Sequence, residues 1–320
     1  MHDAATGMNV HQIRALSNGL AIVATITLTV VGASAQLGTR DETLFRGRTD
    51  LVSVGVTVAA KKHRVITNLS AGDFVVYEDG RPQQIFAFAS GTQPGPPLHV
   101  GVLLDVSGSQ GLDLKFTQKA VIKFLESVPD AIDVTFIDFA NYVRGGRYSR
   151  SDFPLLIRRV RDLTAGGETS LYDAIGLYLD GASKQDGRKV MVLYTDGGDT
   201  TSSLSFETLM TLLKASDATI YAIGALAQQP LAAQFTQRVL LEKIAEGTGG
   251  TAFFPDGVKD LNRIYEQVRG EIQAQYTIGY VSTNEKTDGT WRNIEIKVTC
   301  PDSKSLQVRA RKGYYAPSRP

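Results

Sequence analysis

Leu98-His99-Val100-Gly101-Val102-Leu103-Leu104-Asp105-Val106-Ser107-Gly108-Ser109 is the stretch whose reading decides the fold. An almost unbroken apolar run ends abruptly in an aspartate and two serines. A strand with one face in water alternates apolar and polar side chains, so an unbroken run marks a strand buried on both faces, as in a parallel sheet between helix layers. Lys189–Thr195 and 218–224 read the same way. Between these runs lie helical stripes: Val121, Phe124, Leu125 and Val128; Leu171, Ala174, Ile175, Tyr178 and Leu179; and Val258, Leu261, Ile264, Tyr265, Val268 and Ile272. Their three-and-four spacing puts each set on one face of a helix. Strands and helices therefore alternate over residues 97–273, which predicts an α/β domain with a doubly wound, mostly parallel sheet flanked by helices.

Working outward, the character changes on both sides. In residues 50–90, Val52, Val54, Val56 and Val58 fall on one face, with Ser53, Gly55 and Thr57 on the other. Phe74–Tyr77 is a second β-prone run, closed by the turn Glu78-Asp79-Gly80-Arg81-Pro82, and 84–88 reads as a third. In residues 274–317 the same period returns at Tyr276, Ile278 and Tyr280, at Ile294, Ile296, Val298 and Cys300, and at Leu306, Val308 and Ala310. Period-two patterns with an Asp-Gly turn predict half-exposed antiparallel strands. A Gly/Pro-rich hinge at 91–97 separates the first flank from the α/β unit. The shared periodicity suggests one β-sandwich made of both flanks, with the α/β domain inserted; two unrelated β extensions are the alternative. The only cysteine, Cys300, falls on an apolar strand face and reads as a packed core thiol.

Residues 1–35 read as a secretory signal: Arg14, the uncharged run Leu20–Val31, then Ala33-Ser34-Ala35, with cleavage expected near Ala35-Gln36. That run is too short for the ~20 residues a membrane-spanning helix needs. Residues 36–49 are polar and read as a mobile arm. The mature chain is expected to be secreted, periplasmic or at the cell surface, without membrane insertion. Over all 320 residues, 34 Lys+Arg against 33 Asp+Glu leave a charge of +1, which gives no electrostatic footprint for nucleic acid. One cysteine and four histidines exclude a thiolate zinc site and make a histidine-rich metal centre untenable.

In an open parallel sheet, ligands bind beyond the carboxyl ends of the strands, where strand order switches. Three strand–helix junctions carry chemistry there: Asp105-Val106-Ser107-Gly108-Ser109, Gly166-Gly167-Glu168-Thr169-Ser170, and Asp196-Gly197-Gly198-Asp199. These are oxygen donors only, a set that suits Mg²⁺, Mn²⁺ or Ca²⁺ rather than zinc or copper. Serines two apart in a tight loop are able to aim both hydroxyls at one ion. Asp199 and Glu168 read as ordinary loop polarity. Arg144, Arg147, Arg150, Arg158, Arg159 and Arg161 read as a solvated edge rather than an anion site, because Asp152 and Asp162 dilute them and no aromatic ladder accompanies them. Lys61-Lys62-His63-Arg64 reads as a charged turn. Nucleophile-elbow, phosphate-loop, zincin and dinucleotide motifs are absent from the mature sequence.

The pattern D-x-S-x-S, a distant Thr and a distant Asp resembles the metal-ion-dependent adhesion site of the von Willebrand factor type A family, a Rossmann-like fold. Asp105, Ser107, Ser109, Thr169 and Asp196 fill its five positions. The flanking motifs Asp73–Gly80, Gln275–Tyr280 and Arg309–Pro317 resemble those of exported bacterial proteins that carry such a domain. The resemblance implies that the serines and threonine touch the metal, Mg²⁺ first and Mn²⁺ or Ca²⁺ as alternatives. The aspartates would act directly or through water, and one position would stay open for an Asp or Glu carboxylate from a partner protein. It also implies that the last helix of the domain shifts when that carboxylate arrives; a helix tethered to the flanks at its end is the opposing expectation. The expected function is a divalent-metal-dependent protein-binding or adhesion module and not an enzyme. A structural subunit of an envelope assembly and a metal-dependent hydrolase are the rival readings. The last is disfavoured because Ser107 stands where a haloacid-dehalogenase-like phosphatase would carry its second aspartate.

Overall fold

The computed structural model describes residues 51–60, 64–91, 95–111, 113–128, 130–300 and 303–318. The expected leader (1–35), the arm (36–49) and the positions Lys61, Lys62 and His63 lie outside them.

The apolar run at Leu98 becomes β6 (Leu98–Asp105), every residue of which is buried. It sits inside a six-stranded sheet with β7 (Ala131–Phe139), β8 (Val143–Ser149), β9 (Arg188–Thr195), β10 (Thr219–Gly224) and β11 (Ala252–Phe253), in the order β11-β10-β9-β6-β7-β8. All pairs are parallel except β7–β8. Helices α1 (Leu114–Ser127), α2 (Phe153–Arg161) and α6 (Leu261–Ala274) pack on the Val100, Val102 and Leu104 face. Helices α3 (Leu171–Ala182), α4 (Phe206–Ala215) and α5 (Leu231–Gly247) pack on the Leu103, Met191 and Leu193 face. The doubly wound α/β architecture expected from the sequence is therefore present. A side chain at Gly101 would place its Cβ 2.2 Å from the Tyr178 ring, so the glycine is what lets α3 close on the sheet.

Strand β7 escapes periodicity because Asp133 and Asp138 interrupt its apolar run. Both carboxylates are nevertheless buried. Asp138 accepts from Arg144 at 2.7 Å and Arg159 at 2.6 Å; Asp133 accepts from Arg147 at 2.5 Å and from His99 Nδ1 at 3.0 Å. The arginine-rich segment is thus only in part a solvated edge: Arg144, Arg147 and Arg159 are the counter-ions of a buried strand.

The flanks build two antiparallel sheets. One has the order β14-β1-β12-β5, from β1 (Leu51–Ala60), β5 (Ile85–Ala89), β12 (Tyr276–Val281) and β14 (Gln307–Ala310), with β2 (Arg64–Val65) on β1. The other is β15-β13-β3-β4, from β3 (Phe74–Glu78), β4 (Arg81–Gln83), β13 (Trp291–Val298) and β15 (Gly313–Tyr315). Each sheet mixes strands from before and after the α/β unit. Asp79 and Gly80, both with positive φ, make the two-residue turn between β3 and β4. Between the sheets, Tyr276 packs on Phe74 and Phe88 with ring centroids 5.1 and 5.8 Å apart. Beside them, Glu78 accepts from the Tyr280 and Tyr314 hydroxyls at 2.8 and 2.9 Å, with Arg292 at 3.5 Å.

Two expectations need correction. Strand β1 is not half-exposed along its length: Thr57 and Ala59 are as buried as Val56 and Val58. Its second face packs on the α/β unit, where Thr57 lies beside Tyr221 and the Gln275 side chain fills the space at Gly55. Small side chains there read as solvent-facing in sequence, but they are small because another layer abuts them. Cys300 is not a core thiol: it lies in a bend past the end of β13, half-exposed, and its carbonyl accepts from the Ser303 amide at 2.9 Å.

Candidate metal centre

The chain leaves β6 and β9 toward opposite faces of the sheet, so the loops following these neighbouring strands open a crevice at the switch point. Asp105 is the last residue of β6 and is fully buried. Its Oδ1 accepts from the Ser107 amide at 2.9 Å and its Oδ2 from the Thr195 hydroxyl at 2.7 Å. The turn so fixed brings the Ser107 and Ser109 hydroxyls within 3.1 Å of each other, Ser107 buried and Ser109 exposed. Asp196, directly after β9, accepts from the Gly198 amide at 3.3 Å and from Gln229 Nε2 at 2.9 Å.

The third loop is locked to the first through its backbone. The Gly108 amide donates to the Gly167 carbonyl at 2.9 Å, and the Gly166 amide to the Val106 carbonyl at 2.9 Å. Gly167 takes a φ of +82°, which an L side chain rarely adopts, and this bend presents its carbonyl to Gly108. Thr169 is buried; its amide donates to Thr200 Oγ1, and its carbonyl accepts from the Thr200 and Thr201 amides. These bonds fix the Thr169 backbone while its hydroxyl takes no part in them. The structure thus places all five sequence-derived residues on three adjoining loops at one rim.

The electrostatics are unusual for a protein interior. Burial pushes Asp105 up to about 6, against hydrogen bonds from Ser107 and Thr195 that favour its ionised form; the nearby charge of Asp196 adds to the rise. Among the described residues, neither Asp105 nor Asp196 has a Lys, Arg or His within ion-pair distance, whereas Asp133 and Asp138 each have two and Glu78 and Glu271 one. Two carboxylates and three hydroxyls with no protein counter-charge form a donor set that fits a hard divalent cation. Among the described residues no three or more His, Cys, Asp or Glu are placed together to hold a metal ion, so a cation here would depend on the hydroxyls.

Sequence reasoning missed Thr195, Thr200 and Gln229. Thr195 directly precedes Asp196 and was open to inspection; Gln229, in the loop after β10, carries no local signal. Asp199 accepts from the Tyr172 amide at 3.1 Å and the Ser202 hydroxyl at 2.5 Å, capping the start of α3 as ordinary loop polarity. Glu168 is exposed.

Compared with known proteins, residues 99–267 match the profile of the von Willebrand factor type A domain. Among solved structures, the open conformation of the pilus adhesin SpaC from Lactobacillus rhamnosus GG superposes with a TM-score of 0.50 at 11% identity, over 77% of this chain and 48% of that one. A von Willebrand factor type A protein from Catenulispora acidiphila gives 0.48 at 12%, over 84% and 74%. An aerotolerance-related membrane protein from Bacteroides fragilis NCTC 9343 gives 0.44 at 17%, over 55% and 98%. At these identities the likeness speaks for fold alone. No curated protein matches significantly.

Proposed function

The chain belongs to the von Willebrand factor type A domain family, and from that premise we propose that it is an exported protein-binding module whose rim holds one divalent cation. The observation that carries this reading is the pair of buried carboxylates, Asp105 and Asp196, that lack a protein cation. Leaving a buried charge without a partner costs several kcal/mol in effect, about 3–5 when one member of a buried pair is removed. A rim built this way is organised for a positive charge from outside. Mg²⁺ would supply that charge when bound, with Mn²⁺ and Ca²⁺ as alternatives.

In this reading Asp105, Ser107, Ser109, Thr169 and Asp196 hold the ion. Thr195 and Gln229 hold the two carboxylates in place, by one donated hydrogen bond each. Because three of the five donors are neutral hydroxyls, the bound ion stays electrophilic toward solvent at exposed Ser109, the more so where an aspartate acts through water rather than directly. An Asp or Glu side chain of a partner protein is the group that complements it. The adhesin SpaC, which shares the fold, makes adhesion a natural setting for such a module. Export rests on the leader read in the sequence; among the described residues no helix is long and apolar enough to cross a membrane.

Calorimetry of the chain with Mg²⁺ or Mn²⁺ is the test, run with acetate as a carboxylate ligand. One bound ion per chain is expected. Asp105→Ala should abolish binding and leave the urea unfolding curve cooperative. No uptake at millimolar metal would overturn the proposal. Metal-dependent hydrolysis of a generic phosphate or ester that disappears in Asp196→Ala would replace it with the enzyme reading.

A further inference from the structure

The opposite end of the parallel sheet holds a second feature. There the loop before β10 meets the flank sheets around a cleft of about 640 Å³, within the size range of small-molecule sites. Arg311, between β14 and β15, lines it. Its Nη2 donates to the Ser53 carbonyl at 2.9 Å, and its guanidinium sits 5.7 Å from the centre of the Tyr314 ring. Its Nε is buried with no hydrogen-bond partner. Among the described residues no carboxylate lies within ion-pair distance of it.

The other charges around the cleft are spoken for. Asp217 is bonded to Lys189 at 2.6 Å. Arg292 faces Glu78 and donates to the Ser282 hydroxyl and the Asn284 carbonyl. Glu285 and Lys286, both exposed, line the cleft with opposite charges. Arg311 alone has no such close partner; Asp217, taken up by Lys189, offsets its charge only from beyond ion-pair distance. Enclosure pushes the Arg311 pKa below the usual arginine value, yet a guanidinium does not give up its proton in proteins. The charge therefore stays, and an incoming anion is what offsets it. A carboxylate fits a guanidinium especially well, through paired N–H···O bonds. The rest of the wall is mixed: Leu51, Val52, Val281 and Pro317 with the Tyr314 and Tyr315 rings form its apolar part, beside Ser53 and Thr287.

We propose that this cleft binds a single carboxylate carried on an apolar or aromatic body, with Arg311 as its anion partner. Such a group is supplied by the C-terminus of a peptide ending in an apolar residue, or by a free organic acid. The site is independent of the metal rim, which lies beyond the other ends of the strands.

Calorimetry on the full chain tests this, in EDTA so that no rim-bound metal takes the probe. N-acetyl-phenylalanine should bind at least tenfold more tightly than N-acetyl-phenylalanine amide. Arg311→Gln should bring the acid down to the amide's affinity. Tyr315→Ser, at a position 41% exposed and so tolerant of change, should weaken acid and amide alike and serves if Arg311→Gln fails to fold. Tighter binding of N-acetyl-glycyl-phenylalanine than of benzoate would support a peptide terminus; the reverse order would support a free acid. Equal affinity for acid and amide, no binding of either at about 10 mM, or unchanged binding in Tyr315→Ser would overturn the proposal.

Discussion

The crevice loops and the rest of one parallel sheet treat buried charge in opposite ways. At the carboxyl end, Asp105 and Asp196 are bonded only to neutral donors: backbone amides, a threonine and a glutamine. Along β7, at the amino end and along the seam with the flank sheets, carboxylates are met by cations from the chain itself. Asp138 has Arg144 and Arg159, Asp133 has His99 and Arg147, the buried Lys189 has the exposed Asp217, and Glu271 on α6 has Arg309 on β14 at 2.7 Å. The difference separates polarity that completes the fold from polarity that is left open. Both regions have buried acids, so burial alone does not mark a site; the absence of an internal counter-ion does.

The largest effect should come from the seam. Glu271→Gln strands the Arg309 guanidinium in a buried setting and is expected to cost about 3–5 kcal/mol in urea unfolding, with metal affinity of the folded fraction unchanged. If the loss is below about 1 kcal/mol, the seam pairs are not structural and the contrast fails. Next, Gly101→Ala drives a methyl group into the buried Tyr178 ring. A loss of about 1–3 kcal/mol is expected from overpacking, read from the same unfolding curves.

At the rim the readout reverses. Gln229→Ala removes the donor that holds Asp196 and should weaken Mn²⁺ binding by about 10–100-fold by calorimetry, as loss of an outer-shell partner does. Its unfolding midpoint should stay near wild type. An unchanged metal affinity would break the assignment of Gln229 as the positioning residue for Asp196. The smallest effect belongs to the surface: Asp180→Ala removes the exposed Lys184 pair on α3 and should change stability by no more than about 0.5 kcal/mol.

The seam also bears on the last helix. The carbonyl of Ile272 in α6 accepts from Arg188 Nη2 at 2.6 Å, and that guanidinium also donates to Gln275 Oε1 at 3.2 Å. Glu271 is tied to β14, and a Cβ at Gly91 would lie 1.8 Å from the Gln273 carbonyl. A slide of α6 along its axis would break these contacts together. The expected outcome is a tethered helix: a disulfide engineered between α6 and the neighbouring sheet should leave metal affinity equal in its oxidised and reduced forms. A difference of tenfold or more would show a moving helix.

Much of this molecule was legible from residue order, for identifiable reasons. The unbroken run into Asp105 specified a strand buried on both faces, and with it the α/β class. The helical stripes specified which faces pack, and the D-x-S-x-S spacing picked out the oxygen-donor rim for which a metal is proposed, because residue type and local period report burial and donor chemistry directly. Strand β7 was hidden by Asp133 and Asp138, the second face of β1 was disguised by small side chains, and Cys300 sat one bend beyond the strand that periodicity assigned to it. Tertiary structure alone decided which arginines neutralise β7, how the flanks interleave in two sheets, that Gln229 reaches Asp196, and that Arg311 has no carboxylate within ion-pair distance. Each of these is a pairing between groups distant in the chain. Local sequence fixes what a side chain is able to bond, but only the folded arrangement determines which of its bonds are already taken.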